Sequence, residues 1–208
     1  MCNAAAHLST LTSKSVSALD LFTRLHSAKS GGGVFTVGID GRSGSGKSSL
    51  AQALAACDPR IAVVHTDDLS WHHSFFGWTE LLVGEILKPV HAGLLPLHYR
   101  PDAWILRGRE GAIDVPFDTT ILIVEGVGAC RRATRPYLAL TVWIEVSPQV
   151  GLDRVLGRQA DTAEFLSDWH TAEEAYLQHE QPWRHADIIV SGEAPLTASG
   201  LDPDASPA

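Results

Sequence analysis

The sequence predicts an α/β fold: a doubly wound parallel sheet with helices on both faces. Three observations carry this expectation. A glycine-rich turn, Gly41-Arg-Ser-Gly44-Ser-Gly46-Lys47-Ser48, joins the β-rich run Val34-Phe-Thr-Val-Gly-Ile39 to the helix-forming run Ser48-Ser-Leu-Ala-Gln-Ala-Leu-Ala-Ala56. A continuous apolar stretch, Ile121-Leu-Ile-Val124, ends in Glu125, as a central parallel strand buried on both faces would. Further short apolar runs at 61–64, 140–146 and 186–190 are separated by helical patterns.

Composition bounds the class. The 208 residues suit one domain with a substantial core, and 45% hydrophobic with 19% charged residues is the balance of a water-soluble globular chain. A net charge of −8 argues against a nucleic-acid polymer as partner, because a phosphate backbone attracts basic surfaces. The three cysteines, Cys2, Cys57 and Cys130, have no metal-binding spacing, and their odd number suits a reducing compartment. No apolar run reaches membrane-spanning length, so the cytoplasm is the expected location.

In chain order, residues 1–33 form an N-terminal segment in which Val16, Leu19, Leu21, Phe22 and Leu25 fall at helical spacing before Gly31-Gly-Gly33. An amphipathic helix packed on the sheet is expected. The glycine-rich turn follows, and its spacing is the P-loop signature. Glycines at 41, 44 and 46 allow a tight turn whose N–H groups approach phosphate oxygens, aided by the positive end of the next helix. Lys47 is placed to reach the β- and γ-phosphates and the Ser48 hydroxyl to bind Mg²⁺. Gly41, Ser43, Gly44, Ser45, Gly46, Lys47, Ser48 and Ser49 are therefore the candidate nucleotide-binding residues.

Ile61-Ala-Val-Val64 reads as a second strand, delivering His65-Thr-Asp67-Asp68 to the carboxyl edge where open α/β sheets bind ligands. Asp67 is the candidate general base and a candidate metal ligand; Asp68 is a candidate for substrate contact. Between 70 and 118 a substrate-binding insert is expected. Trp71, His72, His73, Phe75, Phe76 and Trp78 could stack on a flat ring, and Tyr99, Arg100, Asp102 and Trp104 lie on an expected loop. The alternative for the insert is a hairpin whose aromatics only pack. Leu81, Leu82, Glu85, Ile86 and Leu87 suggest a helix that Pro89 ends.

Glu125 at its strand end is the second candidate Mg²⁺ ligand, and Gly126 and Gly128 would allow backbone to approach a ligand. Among Arg131, Arg132 and Arg135, the last is kept as a substrate candidate. Pro148 opens a helix carrying Arg154 and Arg158 four apart on one face, where two guanidiniums could clamp a transferring phosphoryl group. A lid is expected over about 152–170. Residues 161–181 are helical in pattern and acidic, and 193–208 read as a disordered tail beyond the domain at 34–192.

Taken together, Gly41 through Ser48, Thr66-Asp67-Asp68, Val124-Glu125-Gly126, the Arg154/Arg158 pair and Ala186-Asp187-Ile-Ile-Val resemble the uridine kinase-like group of P-loop kinases over residues 34–192. The resemblance implies a nucleoside kinase-like doubly wound fold that uses ATP and Mg²⁺ to phosphorylate a hydroxyl, usually a nucleoside 5′-hydroxyl. It also implies Lys47 and Ser48 on phosphate and Mg²⁺, Asp67 as base, Glu125 as the strand-end acid and Arg154 and Arg158 as lid arginines. The chain departs where that group has Ser-Phe-Tyr after the base, carrying Asp68-Leu69-Ser70, and where it has Tyr-Asp, carrying Tyr99-Arg100. The expectation is an ATP-dependent small-molecule kinase with a nucleoside as acceptor, or else the hydroxyl of a vitamin, sugar or antibiotic. A nucleotide-binding switch or ATPase module is the reading from another class. Nothing in the sequence excludes a homo-oligomer.

Overall fold

The computed structural model describes residues 18–29, 32–157 and 162–193. Val16, the side chain of Leu19, Arg158 and the expected tail from 194 onward lie outside the described residues.

The chain opens with α1 (Ala18–Ala28), whose Leu21 and Leu25 stand four apart and so share the face that enters the core. β1 (Phe35–Gly41), α2 (Lys47–Ala55) and β2 (Ile61–His65) follow, then the short α3 (Thr66–Ser70). The insert holds α4 (Thr79–Leu81), a π-helical segment (Leu82–Leu87) and α5 (Lys88–His91) in direct succession, then β3 (Leu97–Tyr99), α6 (Asp102–Leu106) and β4 (Ile113–Val115). The chain returns through β5 (Ile121–Glu125) and β6 (Leu140–Glu145) to α7 (Pro148–Gly157), α8 (Ala163–Glu180) and β7 (Ile188–Ser191).

β2, β5, β1, β6 and β7 form, in that order, a five-stranded sheet in which every pair is parallel. A parallel sheet needs helices over both faces, and the alternation of β5 shows the result. Ile121 and Ile123 join Leu21, Leu25, Leu50 and Leu54 on one side, while Leu122 and Val124 join Trp78, Leu82, Ile86 and Trp104 on the other. Each such side chain contributes about 1.5–3 kcal/mol by leaving water. β1 lies between β5 and β6, so connections leave it in both directions and a crevice opens at its carboxyl end, where the glycine-rich turn begins.

Two local expectations are corrected. Pro89 does not end its helix, which runs on to His91. The π-helical turns pair Lys88 N–H with the Val83 carbonyl, and Pro89 then opens a fresh α-helical segment, where a missing N–H costs little. The stretch 98–104 is not a loop: β3 pairs with β4 as an antiparallel hairpin in the register Leu97↔Val115, and Asp102 starts α6 between them. Among the described residues no helix is long and apolar enough to cross a membrane.

Candidate functional site

Gly46 caps α2 from the left-handed region (φ 98°) without a side-chain hydrogen bond, so the first-turn N–H groups of the helix open into the loop. Gly44 also has positive φ (74°), and a Cβ there would stand 2.2 Å from the Gly151 carbonyl oxygen. α7 thus packs backbone against backbone on the loop. Lys47 is buried and its Nζ donates to the carbonyl oxygens of Gly41 (3.0 Å) and Arg42 (2.8 Å). Burial lowers the pKa of this ammonium, while Glu125, Asp40, Glu173 and Asp67 pull it back up.

The ends of β2 and β5 bring acids to the same place. Register sets His65 and Ile39 on either side of Glu125. Glu125 is 3% exposed; its Oε1 accepts from Ser48 Oγ at 3.0 Å and also meets His65 Nδ1 in a close contact. That contact raises the pKa of His65 against the opposing effect of burial. Asp67, on the first turn of α3, is exposed, but neighbouring protein groups take part of its carboxyl's hydration. Loss of hydration raises its carboxyl pKa above the usual range, opposed by Lys47 and His65 and aided by Glu125 and Asp68. A carboxylate in that state suits proton transfer.

The donor set fits a phosphate tail with Mg²⁺. Open amides at the start of α2 and a buried ammonium form a cradle for anionic oxygens. Among the described residues no group of three or more His, Cys, Asp or Glu side chains could hold an ion by itself. Ser48 and Glu125 would therefore share the ion with phosphate and water oxygens, the usual habit of Mg²⁺.

Several functional-looking groups were not legible from spacing. Asp40, fully buried one residue before the loop, accepts from the N–H groups of Gly41 (2.8 Å), Gly128 (3.1 Å) and Cys130 (3.0 Å) and from the Tyr176 hydroxyl (2.6 Å). Burial raises its carboxyl pKa and these donors oppose the rise. From α8, Glu173 accepts from Ser43 N–H at 2.6 Å, Trp169 Nε1 donates to Ser43 Oγ at 2.7 Å, and Glu174 holds the Arg42 guanidinium. The acidic pattern of 161–181 was visible in the sequence, but not its partner. Beside these contacts, Leu152, Val155, Leu166 and Trp169 line an open cleft next to Arg42 and Ser43.

Other expectations are corrected by packing. Arg154 is not an open clamp; its guanidinium donates to the carbonyl oxygens of Gly44 (3.2 Å), Gly192 (2.7 Å) and Glu193 (2.8 Å). Arg135 pairs with Glu180 at 3.6 Å, two turns along α8 from Glu173. Gly126 and Gly128 give room to protein groups, Thr66 and Arg131 respectively, rather than to a ligand. In the aromatic cluster Trp78 is core, and Phe75 and Phe76 pack on Trp169 of α8.

Asp68 and Trp71 do remain together near Asp67, joined by a residue the sequence reading missed. Arg109 Nη2 donates to Asp68 Oδ1 at 2.5 Å, and its guanidinium lies 3.5 Å over the Trp104 ring and 5.2 Å from that of Trp71. Trp104 Nε1 donates to the Asp68 carbonyl (2.9 Å), and Arg100 Nη2 to the Arg109 carbonyl (2.8 Å). Asp102 is exposed at the start of α6, and both Asp102 and Glu85 lie near enough to Tyr99 to raise its pKa after burial has done so first.

No family model matches the sequence, and no curated protein matches it. Solved structures do. A possible uridine kinase from Bacillus stearothermophilus superposes with a TM-score of 0.55 at 21% identity, covering 83% of this chain and 97% of that one. A candidate fructose transport system kinase from a Silicibacter species gives a TM-score of 0.50 at 17% identity, covering 84% and 98%. At these identities the likeness is one of fold, and the chain has the P-loop α/β fold of these two proteins.

Proposed function

We propose that the chain is a kinase that uses ATP with Mg²⁺ to phosphorylate a hydroxyl group of a small molecule, with a nucleoside 5′-hydroxyl as the first candidate. One observation carries the reading: the carboxyl ends of β1, β2 and β5 put the Lys47 ammonium, the Ser48 hydroxyl, the Glu125 carboxylate and the Asp67 carboxylate within one electrostatic neighbourhood. Bound ATP with Mg²⁺ supplies the phosphoryl group and neutralises part of its charge. The loop amides and Lys47 would bind its phosphate oxygens, and Ser48 and Glu125 would hold the ion. Asp67 accepts the proton of the acceptor hydroxyl, a role favoured by its raised pKa. Asp68, Trp71, Tyr99 and Arg109 form the acceptor side, and the net charge of −8 suits a small molecule better than a nucleic acid.

A non-nucleoside alcohol is the second reading, and Arg109 favours it. Its guanidinium covers Trp104, so that ring face is not open to a stacked base. The candidate fructose transport system kinase among the structural neighbours fits a sugar-like acceptor equally well. The test is one screen: purified protein with Mg²⁺ and ATP against nucleosides, sugars and other alcohols, with products identified by mass. A phosphorylated alcohol from the wild type and none from Lys47→Ala is the expected result. ATP hydrolysis with no phosphorylated product from any alcohol would favour a switch or ATPase module instead.

A further inference from the structure

The crest of the P-loop is held by a carboxylate. Glu173 is 4% exposed, and its Oε1 takes the Ser43 N–H at 2.6 Å. Trp169, one turn earlier on the same face of α8, holds the Ser43 hydroxyl at 2.7 Å, and Glu174 holds the Arg42 guanidinium. Three side chains of one helix thus grip two consecutive loop residues. Main-chain N–H groups in such a loop are the donors that serve phosphate oxygens, and a carboxylate is the side-chain group nearest to phosphate in charge and oxygen geometry.

Position on the loop decides which phosphate is mimicked. The first-turn amides of α2 lie deepest, between β1 and the helix. Ser43 lies earlier, at the crest beside the cleft lined by Leu152 and Trp169. On the nucleotide-binding reading, a polyphosphate whose inner phosphate sits on the first turn of α2 would run past Lys47, which bonds the Arg42 carbonyl, towards the Ser43 N–H. Glu173 is close enough to Lys47 to act on the same ammonium.

We propose that Glu173 is an internal stand-in for the terminal phosphate, a specificity residue that competes with a nucleoside triphosphate, but not a diphosphate, for the P-loop crest. The proposal rests on the nucleotide-binding reading above. Triphosphate binding must displace the Glu173 carboxylate, and with it the grip of α8, because two anions cannot share one N–H donor at hydrogen-bond distance. A diphosphate leaves the latch in place. The apparent triphosphate affinity is lowered by the fraction of molecules in which the latch is shut, and loss of the terminal phosphate lets it close again.

The test compares affinities of a non-hydrolysable ATP analogue and of ADP, each with Mg²⁺, for the full chain and for Glu173→Gln. Glutamine keeps the size and can still accept from Ser43 N–H, but lacks the charge. The variant should bind the triphosphate analogue about tenfold more tightly, the scale of a charge-assisted hydrogen bond weakened to a neutral one, while ADP affinity changes less than about threefold. Trp169→Phe, which removes the indole N–H bond to Ser43, should shift the same ratio in the same direction. It decides the matter if Glu173→Gln melts before the assay temperature. Equal shifts for both nucleotides would make Glu173 a structural prop and overturn the proposal, as would weaker triphosphate binding or no change. Absence of binding of either nucleotide to all three proteins would overturn the nucleotide reading itself, a result distinct from equal binding.

Discussion

Ser48 Oγ donates to Glu125 Oε1 across 3.0 Å, which ties the first turn of α2 to the last residue of β5. These residues are 77 positions apart in the chain and meet because β5 lies beside β1, with Ile39 opposite Glu125. The same carboxylate oxygen contacts His65 from the other flanking strand. Glu125 therefore sits where it can orient a hydroxyl and share an ion with it. Glu125→Gln should raise the Mg²⁺ concentration needed for half-maximal activity by about 10–100-fold, the usual cost of losing a group that supports a metal site. An unchanged Mg²⁺ titration would remove Glu125 from the ion's surroundings.

Asp67→Asn should lower turnover by about 10²–10⁴-fold, the range for loss of a general base, while leaving nucleotide affinity within about threefold. Steady-state kinetics with the acceptor found by the screen, alongside direct nucleotide binding, separates the two effects. A large loss of nucleotide affinity would place Asp67 on the ion or phosphate instead.

Asp40 gathers four donors from β1, the turn after β5 and α8 in a fully buried position. Asp40→Ala leaves those donors without an acceptor and should destabilise the protein by about 3–5 kcal/mol. Chemical denaturation measures this directly, and a loss below about 1 kcal/mol would show that water replaces the carboxylate.

Gly151 is remote from the P-loop in sequence but touches it. A Cβ at 151 would come within 2.7 Å of the Ser43 carbonyl oxygen, a backbone atom that cannot swing away. Gly151→Ala should cost about 1–3 kcal/mol through overpacking and weaken nucleotide binding together with stability. A variant with normal nucleotide affinity would show that α7 can shift without moving the loop.

Asp58 accepts from Arg60 three times, through the backbone N–H (2.9 Å), Nε (3.0 Å) and Nη2 (2.8 Å). These bonds hold its carboxyl down to about 2, against about 3.9 when unfolded. Because the folded value is the lower one, the stabilisation is complete above about pH 4 and is lost as pH falls towards 2. Melting temperatures of wild type and Asp58→Asn should therefore converge over that interval, and parallel curves would deny the linkage.

The elements that position the site were legible because each is encoded locally. Strand, glycine turn and helix are contiguous, Glu125 follows its own apolar run, and Asp67 follows β2, so hydrophobic period and turn chemistry were enough to place them at one sheet edge. Pro89 misled because its penalty depends on which hydrogen-bond register precedes it, and the π-helical segment changed that register. Arg154 and Arg135 misled because a guanidinium's partner is set by whatever the fold brings near it, here three carbonyls and Glu180.

By itself, the sequence determined the sheet, the P-loop and the acids at the strand ends, since short-range spacing fixes which residues face a core and where a strand stops. Only tertiary structure decided that Asp40 knots three segments together, that Arg109 is stacked on Trp104 beside Asp68, and that Glu173 reaches Ser43 across 130 positions. The physical reason is range. Periodicity acts over a few residues, whereas a buried carboxylate is stable only where distant chain segments happen to supply its donors.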